Sequence, residues 1–382
     1  MRTRLRQLAF LLFTPFAVLL AVEAAFHSGL YERWAQPSSH AGTSVRLKQA
    51  LLMPLARHID FVTLGSSRPQ FGLDHAAWRQ RAAQHGYVHA NLTMPGTHWM
   101  TIEVLRRWLV RTHPEVRGAV IAMSIQDFNN PGNGSYELGI VQPFRELADT
   151  AWIANHVAFD AHDAATWGVY SAMAQWRSDL RAFLANPKQR LDSIAWFITN
   201  MTPERILFEN AAPHADACRH GIASLDACAA LEQATDETGR ALARQCRELQ
   251  AMATYRPNYV AMLRGAAVPE PVSRARAMVR AQLGASTWPQ PTVVLLMPAP
   301  SVWQREVLGN GLHAWALDVL QPLVDEGRIH VLDATDLLAD GADECANYFD
   351  FYHQSSQGRA KLDAWLEPRL APLLYGAPST GR

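Results

Sequence analysis

The 382-residue chain carries no excess of charge of either sign, since 35 Lys and Arg balance 35 Asp and Glu. Without a net field to attract polyanions, nucleic acid drops out as a leading partner. Short paired cysteine intervals are also missing. The four cysteines, Cys218, Cys228, Cys246 and Cys345, do not have zinc-site spacing, and the fifteen histidines include no His-Glu-x-x-His pair. No metal and no cofactor is therefore expected. There is no internal repeat to suggest a solenoid or propeller.

Charge is absent in a second, local sense. Leu8–Val22 (LAFLLFTPFAVLLAV) contains no ionisable side chain, and Arg2, Arg4 and Arg6 precede it. Arginines ahead of an apolar segment hold that end in the cytoplasm and export the chain downstream of it. Val22-Glu23-Ala24 is a mediocre cleavage signal, so residues 1–27 are expected to remain as a single-pass signal anchor in the inner membrane. Glu23 would then sit among the outer headgroups, and Pro15 would kink the helix without preventing insertion. The body of the protein would lie in the periplasm or extracellular space, where one or two disulfides among the cysteines can form.

After a connector (28–57) containing PSSHAGTS at 37–44, apolar strand patterns alternate with helical ones. His58–Leu64 reads as a strand, His75–His85 as a helix, Tyr87–Leu92 as a strand and Trp99–Thr112 as a helix. Val116–Ser124 reads as a third strand. The pattern returns with Thr292–Met297, a mainly helical Val302–Val324, and Ile329–Asp333. A last helix follows Ser355-Ser356 and is expected to be interrupted at Pro368. Repeated strand–helix–strand units predict an α/β fold with a five-stranded parallel sheet and right-handed crossovers.

Residues 129–290 are far too many for a crossover. They read as a mainly helical inserted cap whose core would be Trp152, Trp167, Trp176 and Trp196. The sheet domain would thus fall in two parts, 58–128 and 291–376, followed by a tail at 377–382.

In an open parallel sheet the reactive groups gather beyond the carboxyl ends of the strands. Gly65-Ser66-Ser67-Arg68 follows the first strand, Asn91-Leu92-Thr93-Met94-Pro95-Gly96 runs off the second, and Ser124-Ile125-Gln126-Asp127 ends the third. Tyr348–Ser356 (YFDFYHQSS) follows the fifth. Asp350 and His353 are three residues apart, close enough for a turn to set the carboxylate against one imidazole nitrogen while the other faces a serine. Ser66 has a simple explanation as a turn or capping residue. Arg68, Asn91 and Asp127 are candidate substrate contacts with equally plain structural alternatives.

These four stretches resemble the SGNH (GDSL-like) hydrolase superfamily, in the correct chain order. The first block here reads Gly65-Ser66-Ser67. The second places Gly96 five residues after Asn91. The third matches poorly at Ser124-Ile125-Gln126-Asp127, and the last is Asp350-Phe351-Tyr352-His353. The resemblance implies a flavodoxin-like three-layer sheet, Ser67 as nucleophile, His353 as base and Asp350 as its orienting carboxylate. It also implies an oxyanion hole from the N–H groups of Ser67 and Gly96, with the side chain of Gln126 where the family has asparagine.

The Gly-Ser-Ser start, the apolar amino terminus and the insertion look like the branch that works with a membrane-bound O-acyltransferase on cell-surface polymers. The expected function is O-acylation, with acetyl as the expected group, of an exported polysaccharide. A carbohydrate esterase of the same fold, or a non-catalytic anchor that binds a glycan or a partner, stands as the alternative.

Overall fold

The computed structural model describes residues 2–376 apart from 129–133, 158, 210–211, 214–223, 256–257, 286–287, 310 and 340. The chain divides into two compact units, Met1–Gln49 with Asn133–Thr202, and Ala50–Gly132 with Pro203–Arg382.

The second unit is built on five parallel strands: β1 (Phe61–Gly65), β2 (His89–Thr93), β3 (Gly118–Met123), β4 (Thr292–Leu296) and β5 (Ile329–Asp333), in the order β2-β1-β3-β4-β5. Phe61 is in register with His89 on one side and Gly118 on the other, and Val293 pairs with Val120 and His330. β1, β3 and β4 are buried throughout, which is why β3 and β4 read as apolar runs. The chain moves from β1 outward to β2, crosses back to β3, and then proceeds to β5. The connections leaving neighbouring β1 and β3 thus run in opposite directions, and the carboxyl ends of these strands form the crevice of a doubly wound sheet.

Right-handed crossovers put helices on both faces. On one face Phe61, Val120, Ala122, Val293 and Leu295 pack with Trp78 of helix His75–Gln84 and with Leu362, Leu366, Leu370 and Leu374 of helix Ser356–Tyr375. The alternate residues Val62, Leu64, Ile121, Val294 and Leu296 form the other face and are equally buried. Helices Trp99–Thr112, Glu270–Gly284 and Leu312–Asp325 pack together on that side.

The last helix does not stop at Pro368; it runs through Pro368 and Pro372 to Tyr375. An interior proline costs roughly 3 kcal/mol. Burying Leu370 and Leu374 returns about 1.5–3 kcal/mol each, and Tyr375 adds a hydrogen bond to His89 Nδ1 at 2.9 Å.

The stretch read as one cap is divided between the units. Residues 203–290 belong with the sheet, where Cys228–Cys246 form a disulfide and Cys345 is disulfide-bonded as well; Cys218 lies outside the described residues. Residues 133–202 pack with the amino-terminal segment. Of the tryptophans expected in a core, only Trp176 is one. Trp152 is half-buried and stacks on His156, whereas Trp167 and Trp196 are exposed. Trp196 faces away because helix Pro187–Asn200 turns Arg190 and Ile194 inward.

Helix Arg2–His27 is continuous through Pro15. Glu23 is used within this unit: its carboxylate accepts from Ser171 Oγ at 2.8 Å and from the N–H groups of Ala172 and Met173, at the start of helix Ala172–Ala185. Among the described residues no helix is long and apolar enough to cross a membrane; the side chains of residues 1–12 lie outside that description.

Candidate active site

β1 ends at Gly65, whose φ of +156° and surroundings admit only glycine. A Cβ there would stand 2.3 Å from Ala122 O and 2.6 Å from Pro69 Cγ. The chain turns sharply at this point into helix Ser67–Gly72, with Ser66 as the N-cap and its Oγ 3.4 Å from Arg68 N. Ser66 is therefore spent on the turn, and Ser67 is the hydroxyl presented at the end of the strand.

The partner for Ser67 comes from a tight reversal between β5 and the last helix. Tyr348 and Gln354 form an antiparallel bridge, and Phe349 N donates to His353 O at 2.9 Å. Inside this loop Asp350 Oδ1 accepts from Tyr352 N at 2.7 Å and His353 N at 2.8 Å, a local turn that the short side chain of Asp or Asn favours. Gln354 Nε2 ties the loop to Pro298 O beyond β4, and Ser355 caps helix Ser356–Tyr375.

The outcome is a continuous hydrogen-bonded line. His353 Nε2 lies 2.8 Å from Ser67 Oγ, and Nδ1 lies 2.9 Å from Asp350 Oδ2 and 3.1 Å from Oδ1. An ionised carboxylate can only accept, so the proton is assigned to Nδ1 and the lone pair of Nε2 faces the serine. Burial pushes the Asp350 carboxyl up, but hydrogen bonds from His353, Gln245 Nε2 (3.0 Å) and Tyr352 N–H outweigh it and hold the group below its ordinary value. Phe71 meets the His353 ring edge-on at 5.3 Å, which limits its swing.

A cleft of about 190 Å³ opens in front of Ser67 and is lined by Ser66, Ser67, Arg68, Gly96, Thr97 and His98, with Gln126, Asp127, Tyr352 and His353 completing it. Gly96 has φ +73° in the turn after β2. Among the described residues neither the Ser67 N–H nor the Gly96 N–H has an acceptor. Both are thus available to an oxygen placed in the cleft. Gln126 follows β3 and brings its side-chain amide to the same space.

The three candidate substrate contacts fare differently. Asn91 is buried on β2, where its Oδ1 accepts from Thr93 N at 2.9 Å and Thr93 Oγ1 at 2.6 Å, and it does not line the cleft. Asp127 lines the cleft but is engaged: Oδ2 accepts from Ser124 N at 2.8 Å, with Arg68 and His98 each 3.8 Å away. Arg68 is buried beneath the site, its guanidinium over the rings of Trp303 and Tyr352. Burial lowers its pKa, while Asp127, Tyr352 and Asp350 oppose that shift.

Thr97, His98, Tyr352 and Gln245 were not foreseen from sequence. The first two follow Gly96 directly, which was the available signal. Gln245 lies mid-helix in Glu237–Tyr255 with nothing local to mark it. Chemically the arrangement can activate a hydroxyl, accept its proton, and stabilise negative charge on a carbonyl oxygen. No protein-family model and no curated protein matches the chain.

Proposed function

We propose that the protein is an SGNH-like serine acyltransferase that carries an acetyl group on Ser67 and delivers it to hydroxyls of an exported polysaccharide. One observation carries this reading: Ser67 Oγ, both nitrogens of His353 and the Asp350 carboxylate form one line with contacts of 2.8 and 2.9 Å.

Ser67 Oγ attacks the acyl carbonyl carbon. As that C–O bond forms, the serine proton passes to His353 Nε2 and the carbonyl electron pair moves onto oxygen, which faces the N–H groups of Ser67 and Gly96 and the Gln126 amide. Collapse breaks the bond to the leaving group, which takes the proton from Nε2, and leaves an ester on Ser67. A sugar hydroxyl then gives its proton to Nε2 and attacks that ester; the same steps release Ser67 and the acylated sugar. Water in place of the sugar would make the same site a carbohydrate esterase.

The cleft lining supports a short acyl group and a hydroxylated acceptor, because it contains no aliphatic side chain against which a long chain could be buried. A membrane tether is supported by the amino-terminal helix, where Phe13, Phe16, Val18, Leu19 and Leu20 are all exposed. In this reading a membrane-bound O-acyltransferase supplies the acyl group from the other side.

The test is incubation of the full chain with 4-nitrophenyl acetate, with and without an oligosaccharide. Mass spectrometry should find one acetyl group on Ser67 and then on the sugar, with neither product formed by Ser67→Ala. Unchanged turnover by Ser67→Ala would sink the covalent route, and acetate release indifferent to any saccharide would assign hydrolysis instead.

A further inference from the structure

Arg68 follows the nucleophile in sequence, yet only 7% of it is exposed. Its guanidinium carbon lies 4.7 Å from the centroid of the Trp303 ring and 5.3 Å from that of Tyr352. The nearest carboxylate, Asp127, stands 3.8 Å from Nη1, beyond hydrogen-bonding distance. A buried cation held by aromatic faces, with an incomplete ion pair, is costly unless another polar group completes its shell.

Gln126 supplies an acceptor to both Nη groups, while the buried Nε has no partner among the described residues. A guanidinium only donates, so the end of the Gln126 amide against it must be the oxygen, which accepts from Arg68 Nη1 at 2.7 Å and also from Nη2. The two-pronged contact fixes the amide oxygen and turns the NH2 group the other way. Gln126 lines the cleft together with Ser67 and Gly96.

We propose that Arg68 is a positioning residue that clamps and polarises Gln126, making the Gln126 NH2 the third oxyanion donor. The inference deepens the acyl-serine reading and rests on it. Glutamine has one more rotatable bond than asparagine and left alone would spread its donor over several rotamers. The fork removes that freedom. Positive charge at the amide oxygen also draws electron density from the nitrogen, so each N–H becomes a stronger donor when negative charge develops on the substrate oxygen. Trp303 and Tyr352 hold the guanidinium in place.

The experiment is a double-mutant cycle on the full chain, read as kcat and KM for 4-nitrophenyl acetate, with Ser67→Ala as the reference. Gln126→Ala should lower kcat about 100-fold with KM changed less than about 3-fold, as for loss of one oxyanion donor. Arg68→Met should lower kcat by a similar factor, and the double variant should be within about 3-fold of Gln126→Ala alone. Multiplicative losses in the double variant, or an Arg68→Met effect confined to KM, would overturn the clamp.

Should Arg68→Met fail to fold, Arg68→Lys keeps a cation between the rings but lacks the fork; it should lose about 10-fold in kcat, and an unchanged kcat would overturn the proposal. Activity surviving in Ser67→Ala would bring down the acyl-serine reading and the clamp together. Activity lost in Ser67→Ala with a multiplicative cycle would bring down the clamp alone.

Discussion

Ser67 and His353 lie 286 positions apart and meet with 2.8 Å between Oγ and Nε2. Neither is brought there by flexible loop chemistry alone. Ser67 is fixed by the Gly65 turn at the end of a central strand, and His353 by the Asp350 turn, the Tyr348–Gln354 bridge and the cap of the last helix. Two rigid supports aimed at one point make the contact a property of the sheet, which is what a reacting pair requires.

The carboxylate is the first place to probe. Asp350→Asn removes the acceptor that keeps the proton on Nδ1, so Nε2 no longer offers a lone pair in the dominant tautomer. A loss of roughly 10³- to 10⁴-fold in kcat is expected. Because the folded carboxyl is held below its ordinary value, it stabilises the fold above the usual carboxylate range and ceases to do so as pH falls below it. The Tm deficit of Asp350→Asn should accordingly be full at neutral pH and close below about pH 4. A deficit that widened in acid would contradict this balance of interactions.

Gly65→Ala tests the turn. The added methyl group would press on Ala122 O and Pro69 Cγ at a backbone angle that L side chains rarely adopt. Something must shift, at a cost of about 2 kcal/mol or more. Denaturant melts should show that loss, and any folded fraction should have lowered kcat because Ser67 is the next residue but one. Full stability would mean that the turn is softer than its geometry suggests.

How much could be read from the chain beforehand depends on how local each cause is. β3 and β4 were visible because fully buried parallel strands are apolar runs, β1, β2 and β5 because short strand-like segments alternate with helical ones, and Asp350 and His353 because their relation is built within one turn. Pro368 misled because the helix continues for the sake of Leu370 and Leu374 on the sheet, which is a tertiary gain. The burial of Arg68 depends on Trp303 and Tyr352 from distant segments, and Asn91 looked functional only because its partner, Thr93, hides the reason for its amide. Gln245 gave no signal, since its meaning lies entirely in reaching Asp350 across the fold.

Gln245 has a second dependency. Its neighbour Cys246 is bonded to Cys228, closing a span of 18 residues that holds helix Glu237–Tyr255 in place. Replacing both cysteines by serine should cost about 3 kcal/mol from loop entropy. The same change should lower kcat by less than Asp350→Asn does, since the carboxylate keeps its other donors. Unfolding in urea and kcat on one preparation would check both, and a kcat loss as large as that of Asp350→Asn would show that Gln245 is needed outright.

Asp363 offers a pH signature away from the cleft. It accepts from Trp78 Nε1 at 2.8 Å and Asp74 N at 2.9 Å, joining the last helix to the segment after Ser67–Gly72. Burial pushes its carboxyl up to about 6, more than those two hydrogen bonds pull it down. Between about pH 4 and that value the folded chain keeps a proton that the unfolded chain has released, so stability falls as pH rises through the window and levels off above it. The size is on the order of 3 kcal/mol. Asp363→Asn cannot ionise and should lose this slope, although it leaves one of the two donors unmatched. Chemical denaturation from pH 4 to 7.5 should therefore show the advantage of the native chain over the variant shrinking toward pH 6 and then holding constant. An advantage that grew with pH would mean that the carboxylate is ionised and stabilising where it sits.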